Sequence, residues 1–296
     1  SLIQNEMAKR SKFILSLKPD NIILLSGAPV SGKYENLVSQ IWLLGWNITK
    51  KLFWQHYIDF EWVDEGGFFR KKVTGYKNVE RLKWKLRQHG AVFMKSEDVL
   101  DLPEQIFTDI KVKPTKEYRK FLKDELIMVE GEELVGDSIL KKMLYCRMLC
   151  GQYNREKLEA FKDLVDSTED RLIVFYNFNK ELEKLIQTVE RPISIINGEI
   201  KDLSAYENES NSISFIQYQA GAMGLNLQKA NKIIYFTPTL SSDLFEQSKK
   251  RVHRIGQNKS CFYYRMITQN SIEEQIYRTL EKRKDYTDEL FKEMIK

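Results

Sequence analysis

The chain has 296 residues, which is enough for a sizeable hydrophobic core and about two domains. Hydrophobic residues make up 42% and charged residues 30%, as in ordinary globular proteins. The net charge of +5 and pI near 8.8 permit nucleic-acid binding without requiring it. No apolar run approaches ~18 residues and no signal-peptide pattern is evident, so we expect a soluble cytoplasmic protein without membrane contact.

The first 46 residues contain two helical patterns and one short apolar run. The patterns predict helices over residues 6–17 and 34–44, a strand over residues 22–25 between them, and a helix C-cap at Gly45.

The segment from Gly27 to Lys33 fits the first seven positions of a phosphate-binding loop and follows the predicted strand. Tyr34, however, takes the position whose hydroxyl should bind magnesium, and Pro29 lacks a backbone N–H. We therefore disfavour a self-contained phosphate-loop enzyme that uses Lys33.

Residues 47–135 are aromatic-rich and predicted to be mostly helical, with a break at residues 64–67. The basic segment 111–123 contains Tyr118 and Phe121. We favour an amphipathic helix that packs both aromatic rings inward, while its lysines remain able to follow a phosphate backbone.

The second half alternates helices and apolar strands. Helices are predicted over 138–151, 155–167 and 180–189, and a capping box at residues 271–274 opens a long helix to about residue 296. Strands are predicted over 172–176, 193–196, 212–218, 232–236 and 261–266. The alternation predicts an α/β fold with a parallel sheet flanked by helices.

Cysteine and histidine are too few for an obvious metal site. Cys146 and Cys150 share a predicted helix face and are expected to be small buried hydrophobes, and Cys261 stands apart. With three histidines in the chain, we predict no metal site formed by these residues.

Residues 246–257 place Arg251 and Arg254 three positions apart on a predicted helix that ends at Gly256. Residues with that spacing share a helix face, and planar guanidinium groups suit phosphate oxygens. Two such groups directed at one target predict arginine fingers. The alternative is a solvated basic helix face.

This segment resembles the sixth motif of the Swi/Snf-like branch of helicase superfamily two, Gln-x-x-x-Arg-x-His-Arg-Ile-Gly-Gln. The matching residues are Gln247, Arg251, His253, Arg254, Ile255, Gly256 and Gln257. Residues 24–30, 171–178 and 219–227 resemble the third, fourth and fifth motifs, and residues 195–198 resemble the aspartate-glycine element. Ala28, Asn197 and Ala222 depart from the family's usual residues.

The resemblance implies a RecA-like lobe, a helical insertion and a C-terminal bracing helix. It divides the chain into the tail of a first lobe (1–46), helical protrusions and linker (47–135), a second lobe (136–270) and the bracing helix (271–296). It begins at the third motif, so we expect the magnesium and phosphate-loop ligands to lie outside the chain. The chain alone should then turn over little ATP.

The resemblance also implies roles for single residues. Arg251 and Arg254 would reach the triphosphate of ATP, with Gln247 orienting them and His253 positioning their segment, while Gly224 and Asn226 would line the nucleotide cleft. Contacts to a DNA backbone would come from Asn177, Gly198, Gln219 and Ala220.

We expect the full-length protein to be a monomeric ATP-dependent translocase that acts on double-stranded DNA and uses ATP and Mg²⁺. The Lys-, Asn- and Ile-rich composition favours a bacterial or phage origin. The alternative is a non-enzymatic nucleic-acid- or protein-binding module on the same RecA-like fold.

Overall fold

The computed structural model describes residues 3–17, 19–26, 29–30, 32–64, 67–94, 100–221 and 224–291. The chain divides into two compact units. The first unit contains residues 1–99 and 281–296, and the second contains residues 100–280. The four domains expected from the sequence stay predictions, with boundaries near residues 46, 135 and 270.

The first unit combines short helices with one antiparallel hairpin. Its elements are α1 (Lys9–Ser16), a 3₁₀ turn (Tyr34–Leu37), α2 (Val38–Leu43), α3 (Lys50–Tyr57), β1 (Ile58–Asp64), β2 (Phe69–Tyr76) and α4 (Val79–Gln88). Trp46, Phe53 and Tyr57 lie at the centre of its aromatic core. Gly45 follows α2 with φ of +81°, which fits the predicted glycine C-cap.

Two predictions for the first unit are wrong. Residues 22–25 form no strand, and the side chains of Ile23 and Leu25 are exposed. An extended segment becomes a strand only when a neighbour satisfies its backbone groups, and none of the described residues pairs with it. The predicted break at residues 64–67 falls between the paired strands β1 and β2, so residues 47–135 are less helical than expected.

The second unit is built on a seven-stranded sheet. Before the sheet's central strands the chain forms β3 (Gln105–Val112), α5 (Lys116–Asp124), β4 (Leu126–Val129), β5 (Glu132–Val135), α6 (Ile139–Cys150) and α7 (Arg155–Asp166). The remaining elements up to the last strand are β6 (Leu172–Tyr176), α8 (Asn179–Gln187), β7 (Ile193–Ile196), β8 (Lys201–Asp202), α9 (Ser204–Asn208), β9 (Ile213–Gln217), α10 (Tyr218–Gly221), β10 (Lys232–Tyr235), α11 (Ser242–Lys249) and β11 (Cys261–Thr268).

The sheet runs in the order β3-β11-β10-β6-β9-β7-β8, and all its pairs are parallel except β7–β8. All five residues of β6 are buried, as expected for a strand covered on both faces. The α/β prediction of a parallel sheet flanked by helices is confirmed. The sequence missed β3, which pairs with β11 at the edge of the sheet.

Helix α5 buries Tyr118 and Phe121 while its charged residues face outward, so the favoured inward packing of the two rings is confirmed. The three cysteines are buried free thiols, which confirms the prediction that Cys146 and Cys150 are small buried hydrophobes.

The last helix, α12 (Ile272–Phe291), follows Ser271. The backbone N–H of Glu273 donates to Ser271 Oγ, whereas the Glu273 carboxylate accepts from Thr268 N at 2.8 Å. Glu273, rather than the predicted Glu274, therefore turns its carboxylate back at this helix start. Residues 292–296 lie outside the described part. No described helix, from α1 to α12, is long and apolar enough to span a bilayer.

Candidate nucleotide and nucleic-acid site

The predicted nucleic-acid contacts come together at one edge of the sheet in the second unit. Asn177 directly follows β6, Gly198 follows β7, and Gln219 and Ala220 lie in α10 directly after β9. Strands β6, β9 and β7 are neighbours and parallel, so their carboxyl ends share an edge. Gln219 is exposed there, whereas Ala220 is buried and packs into the core.

Asn177 is tied into the protein by its side-chain amide. Its Nδ2 donates to Thr237 Oγ1 at 2.8 Å, to Pro238 O at 3.1 Å and to Thr237 O at 3.2 Å. Its backbone oxygen accepts from Gln217 Nε2 at 3.2 Å. Asn177 therefore joins the ends of three adjacent strands, β10, β6 and β9, and is placed to shape this edge.

Beneath Asn177 lies a buried carboxyl group that the sequence analysis did not single out. Glu181 Oε2 accepts from the backbone N–H groups of Asn177 and Phe178 and from Thr237 Oγ1. Burial raises the pKa of Glu181 to about 7, although these hydrogen bonds and Lys157 act in the opposite direction. A glutamate five residues after a strand end is the signal that could have identified it.

The turn after β7 is closed by Asn197, which replaces the family's aspartate. Asn197 Oδ1 accepts from the N–H groups of Glu199 at 2.9 Å and Ile200 at 2.7 Å. An asparagine side chain makes this kind of turn as an aspartate does. Gly198 is exposed, and a Cβ built on it would meet no atom within 4 Å. The surface at Gly198 is thus open to a large ligand.

The loop that resembles the fifth motif bonds to residues 250–256, the segment that carries Arg251 and Arg254 and is called the arginine segment below. Gly224 has φ of +60°, a conformation that favours glycine, and Asn226 is exposed. Arg251 Nη1 donates to Leu225 O at 3.3 Å, and Leu227 N donates to Arg251 O at 3.1 Å. The structure therefore brings Gly224 and Asn226 beside Arg251. Ala222 lies outside the described residues, as do Gly27 and Ala28 of the third-motif resemblance.

The predicted helix through Arg251 and Arg254 is wrong in extent. Helix α11 ends at Lys249, and residues 250–256 form consecutive turns. Bonds from Arg251 N to Ser248 O and from His253 N to Lys249 O continue the helical winding only in part. The Arg251 carbonyl accepts from Leu227 N in the neighbouring loop, where a continuing helix would have used it for the N–H of residue 255.

The two arginines nevertheless stay close enough to affect each other. Arg251 is half-buried and Arg254 is exposed. Burial, and then the neighbouring charge of Arg254, lower the pKa of Arg251. Two guanidinium groups on one short segment make a site with a strong preference for an anion.

Three further residues of the sixth-motif resemblance hold this segment. Gln247 is half-buried on α11, four positions before Arg251. His253 Nε2 pairs with Pro103 O at 2.8 Å. Gln257 is buried, and its Nε2 donates to Ala230 O at 2.9 Å, to Gln228 O at 3.1 Å and to Val252 O at 3.4 Å. The sequence analysis gave Gln257 no role.

Residues of the first unit do not support the phosphate-loop alternative. The ring of Tyr34 is buried and stacks on Tyr76 with centroids 4.2 Å apart. A buried phenol cannot take the place of a magnesium-binding hydroxyl. Throughout the part of the chain that the structure describes, no three His, Cys, Asp or Glu residues form a group that could hold a metal ion.

Comparison with known proteins agrees with this arrangement. Residues 156–256 match the helicase conserved C-terminal domain. The DNA repair and recombination protein RAD26 of Saccharomyces cerevisiae is 24% identical over 93% of this chain and 29% of its own length. The putative ATP-dependent helicase/translocase YwqA of Bacillus subtilis is 23% identical over 97% of this chain and 34% of its length.

Among solved structures, the C-terminal part of the Fun30 ATPase domain aligns with a TM-score of 0.49 and 17% identity, over 64% of this chain and 98% of that one. The chain spans about a third of the length of the curated relatives. The matched domain covers α7 to the arginine segment and includes every predicted site residue. Residues 156–256 are a helicase conserved C-terminal domain, and the chain is similar to Swi/Snf-like helicases of superfamily two.

Proposed function

We propose that this chain is the C-terminal helicase portion of an ATP-dependent translocase that moves along double-stranded DNA. Arg251 and Arg254 act on the triphosphate, and the carboxyl edge of the sheet holds the DNA backbone. Two relatives are named as ATP-dependent helicases, which supports ATP as a substrate, and one is named as a DNA repair protein, which supports DNA.

The observation that carries the proposal is the way Arg251 is held. Its guanidinium group bonds to Leu225 O and its carbonyl to Leu227 N, so one arginine fixes its segment against the 224–227 loop. Arg254, three residues later, is exposed beside it. A guanidinium group fixed before ATP arrives needs little reorganisation when charge develops on the phosphoryl group.

The roles of the two arginines differ in this arrangement. Arg251 is partly engaged with the protein and orients the segment as well as facing the anion. Arg254 has its guanidinium group in solvent and is the better candidate for direct contact with the transferring phosphoryl group. Gln257 and His253 keep the segment in place through their bonds to backbone carbonyls.

The proposed contacts to the DNA backbone come from uncharged groups at the carboxyl edge of the sheet. Gln219 offers an exposed amide, and Gly198 offers open backbone. Contacts of this kind to phosphate oxygens are independent of base sequence. Asn177 serves this edge as a positioning residue, because its amide nitrogen already bonds to Thr237 and Pro238.

The proposal is tested by DNA-stimulated ATP hydrolysis in the full-length protein with Arg254→Ala and Arg251→Lys. Removing an arginine finger costs on the order of 10³–10⁵-fold in rate, so Arg254→Ala should lower the rate far more than it weakens ATP binding. Arg251→Lys keeps the charge but loses the planar two-donor geometry, and it should also be strongly impaired.

The matched control is Arg278→Ala, which removes an equally charged and exposed side chain from α12. It should hydrolyse ATP at the parental rate. The double variant at Arg251 and Arg254 should be barely worse than the poorer single variant, since residues that act as a unit are non-additive. Hydrolysis within about threefold of the parent in both single variants would contradict the proposal and favour a non-enzymatic binding module.

A further inference from the structure

The β1–β2 hairpin of the first unit carries an exposed row of aromatic rings on one face. In the antiparallel register Phe60 faces Val73, Trp62 faces Lys71, and Asp64 faces Phe69. Side chains at alternate positions of a strand lie on the same face, so Phe60, Trp62 and Phe69 share one. Trp62 is 61% exposed and Phe69 is 71% exposed, although both are large apolar side chains.

Lys71 lies among these rings and holds them in a fixed arrangement. Its ammonium nitrogen is 4.2 Å from the centroid of Phe60 and 5.3 Å from those of Trp54 and Trp62. These separations are within the range of cation–π interactions. Neighbouring rings meet edge to face, with centroids 5.7 Å apart for Trp54–Phe60 and 6.1 Å for Phe60–Trp62. Trp54, Phe60, Trp62 and Lys71 therefore pack against one another in this part of the first unit.

The hairpin has a firm base and a projecting outer part. At its base Ile58 is buried, and Tyr76 donates a hydrogen bond to Glu35 Oε2 at 2.9 Å. Asn78 Nδ2 donates to His56 O at 2.8 Å and fixes the start of α4. The exposed rings lie further along the ribbon, where the fold of the first unit does not need them.

The charges around this face identify its partner. From residue 70 to residue 87 the chain carries eight Lys or Arg residues and one acidic residue, Glu80. Of the three acidic side chains of β1, Asp59 pairs with Lys77 at 3.1 Å, Glu61 pairs with Lys72 at 2.9 Å, and Asp64 accepts from the backbone N–H of Gly67 at 2.7 Å. An aromatic face bordered by cations is the combination that binds single-stranded nucleic acids.

The aromatic rings favour unpaired bases over a duplex. A duplex presents its phosphates outward and keeps its bases stacked on each other, so cations alone would suffice to hold it. Flat exposed rings gain contact only when a base is free to stack on them. Trp84 on α4 repeats the pattern, since it is 45% exposed with Lys85 Nζ 4.9 Å from its ring.

We propose that the β1–β2 hairpin is a second nucleic-acid site, at which Trp62 and Phe69 stack on unpaired bases while Lys71 on the same face, together with Arg70 and the exposed cations of α4, holds the strand's phosphates. This site shares no residue with the nucleotide and duplex site of the second unit. It gives the protein a means of binding a strand that has left the duplex.

The test compares binding of the whole chain to a fluorescein-labelled oligothymidylate and to a blunt duplex of the same length, at low salt. Trp62→Ala and Phe69→Ala should each weaken single-strand binding on the order of tenfold or more and leave duplex binding within about twofold of the parent. Trp62→Phe keeps a ring and should retain most of the single-strand affinity. Both side chains are exposed, so thermal unfolding should remain parental.

The matched control is Phe13→Ala, which removes an equally exposed ring of the first unit outside the hairpin. It should bind both ligands as the parent does. Single-strand affinity within about twofold of the parent in both alanine variants would overturn the proposal, as would a parent that does not bind the single strand. Equal losses of affinity for the single strand and the duplex would also overturn it, because they would show that the hairpin binds duplex DNA. None of these results depends on Arg251 or Arg254, so the two proposals fail separately.

Discussion

At the scale of single residues, the buried carboxyl group of Glu181 makes the site sensitive to pH. The pKa of Glu181 is raised to about 7 by burial, whereas an unfolded chain releases this proton near its usual pKa of 4.5. Between those pH values the folded state binds more protons than the unfolded state. Linkage then requires the free energy of unfolding to decrease as pH rises from about 4.5 to 7 and to level off above 7.

Glu181→Gln isolates the effect of Glu181 ionisation on the free energy of unfolding, because the glutamine amide oxygen can still accept from the N–H groups of Asn177 and Phe178. Urea unfolding of parent and variant at pH 5, 6, 7 and 8 measures this effect. The parent should lose stability relative to the variant across this range. A stability difference that is the same at every pH would show that Glu181 is ionised throughout. The comparison cancels other titrating groups such as Glu273.

At the same scale, the predicted site residues separate into two kinds. The motif resemblance named Arg254 and Gln219, which are exposed, and Arg251, which is half-buried and bonded to Leu225 O. It also named Asn177 and Ala220, which the structure shows to be tied into the fold. Sequence pattern alone does not distinguish a residue that contacts a ligand from one that supports it, because both recur at fixed positions in a motif.

At the scale of elements, a buried ion pair joins α7 to the start of α12. Lys157 Nζ lies 2.7 and 2.8 Å from the two carboxylate oxygens of Glu273, and both side chains are almost fully buried. Breaking such a pair leaves one buried charge without its partner, which costs about 3–5 kcal/mol. Lys157→Met should therefore destabilise the protein by about that amount in urea unfolding.

The double variant Lys157→Met/Glu273→Gln removes both charges and keeps an acceptor for Thr268 N. It should recover a large part of the loss. Lys162→Met, which breaks the exposed pair of Lys162 with Asp166 on the same helix, is the control and should cost within about 1 kcal/mol. If Lys157→Met costs no more than this control, the buried pair does not hold α7 to α12.

The elements also show which parts of the fold could be predicted. Strands β6, β7 and β9 to β11 were found within one or two residues at most ends, since buried parallel strands are continuous apolar runs. The β1–β2 hairpin was missed because it has no continuous apolar run: aromatic and acidic residues alternate in β1, and β2 contains three consecutive basic residues. Helix α11 was predicted too long, because the backbone bonds of residues after Lys249 go partly to the tighter i−3 position and to the 224–227 loop.

At the scale of the whole molecule, the proposed DNA contacts are of two kinds: uncharged groups at the sheet edge and lysines on α5. The predicted duplex contacts at the sheet edge, Gln219 and Gly198, carry no charge. The outward face of α5 carries several cations, including the exposed side chains of Lys116, Lys120 and Lys123. Neutral contacts release few counterions, whereas each lysine on a phosphate releases them. The two kinds of contact should therefore respond differently to salt.

Duplex binding by the whole chain should be weak, insensitive to base sequence and strongly salt-dependent. Each phosphate neutralised adds about −0.9 to the slope of log affinity against log salt, so Lys120→Gln should make that slope shallower by about 0.9. Gln219→Ala should lower affinity by a similar factor at every salt concentration and leave the slope unchanged. Anisotropy titrations of two unrelated duplexes across a salt series measure all of these quantities. A salt-independent preference for one duplex would contradict backbone recognition, and an unchanged slope in Lys120→Gln would exclude α5 from the DNA path.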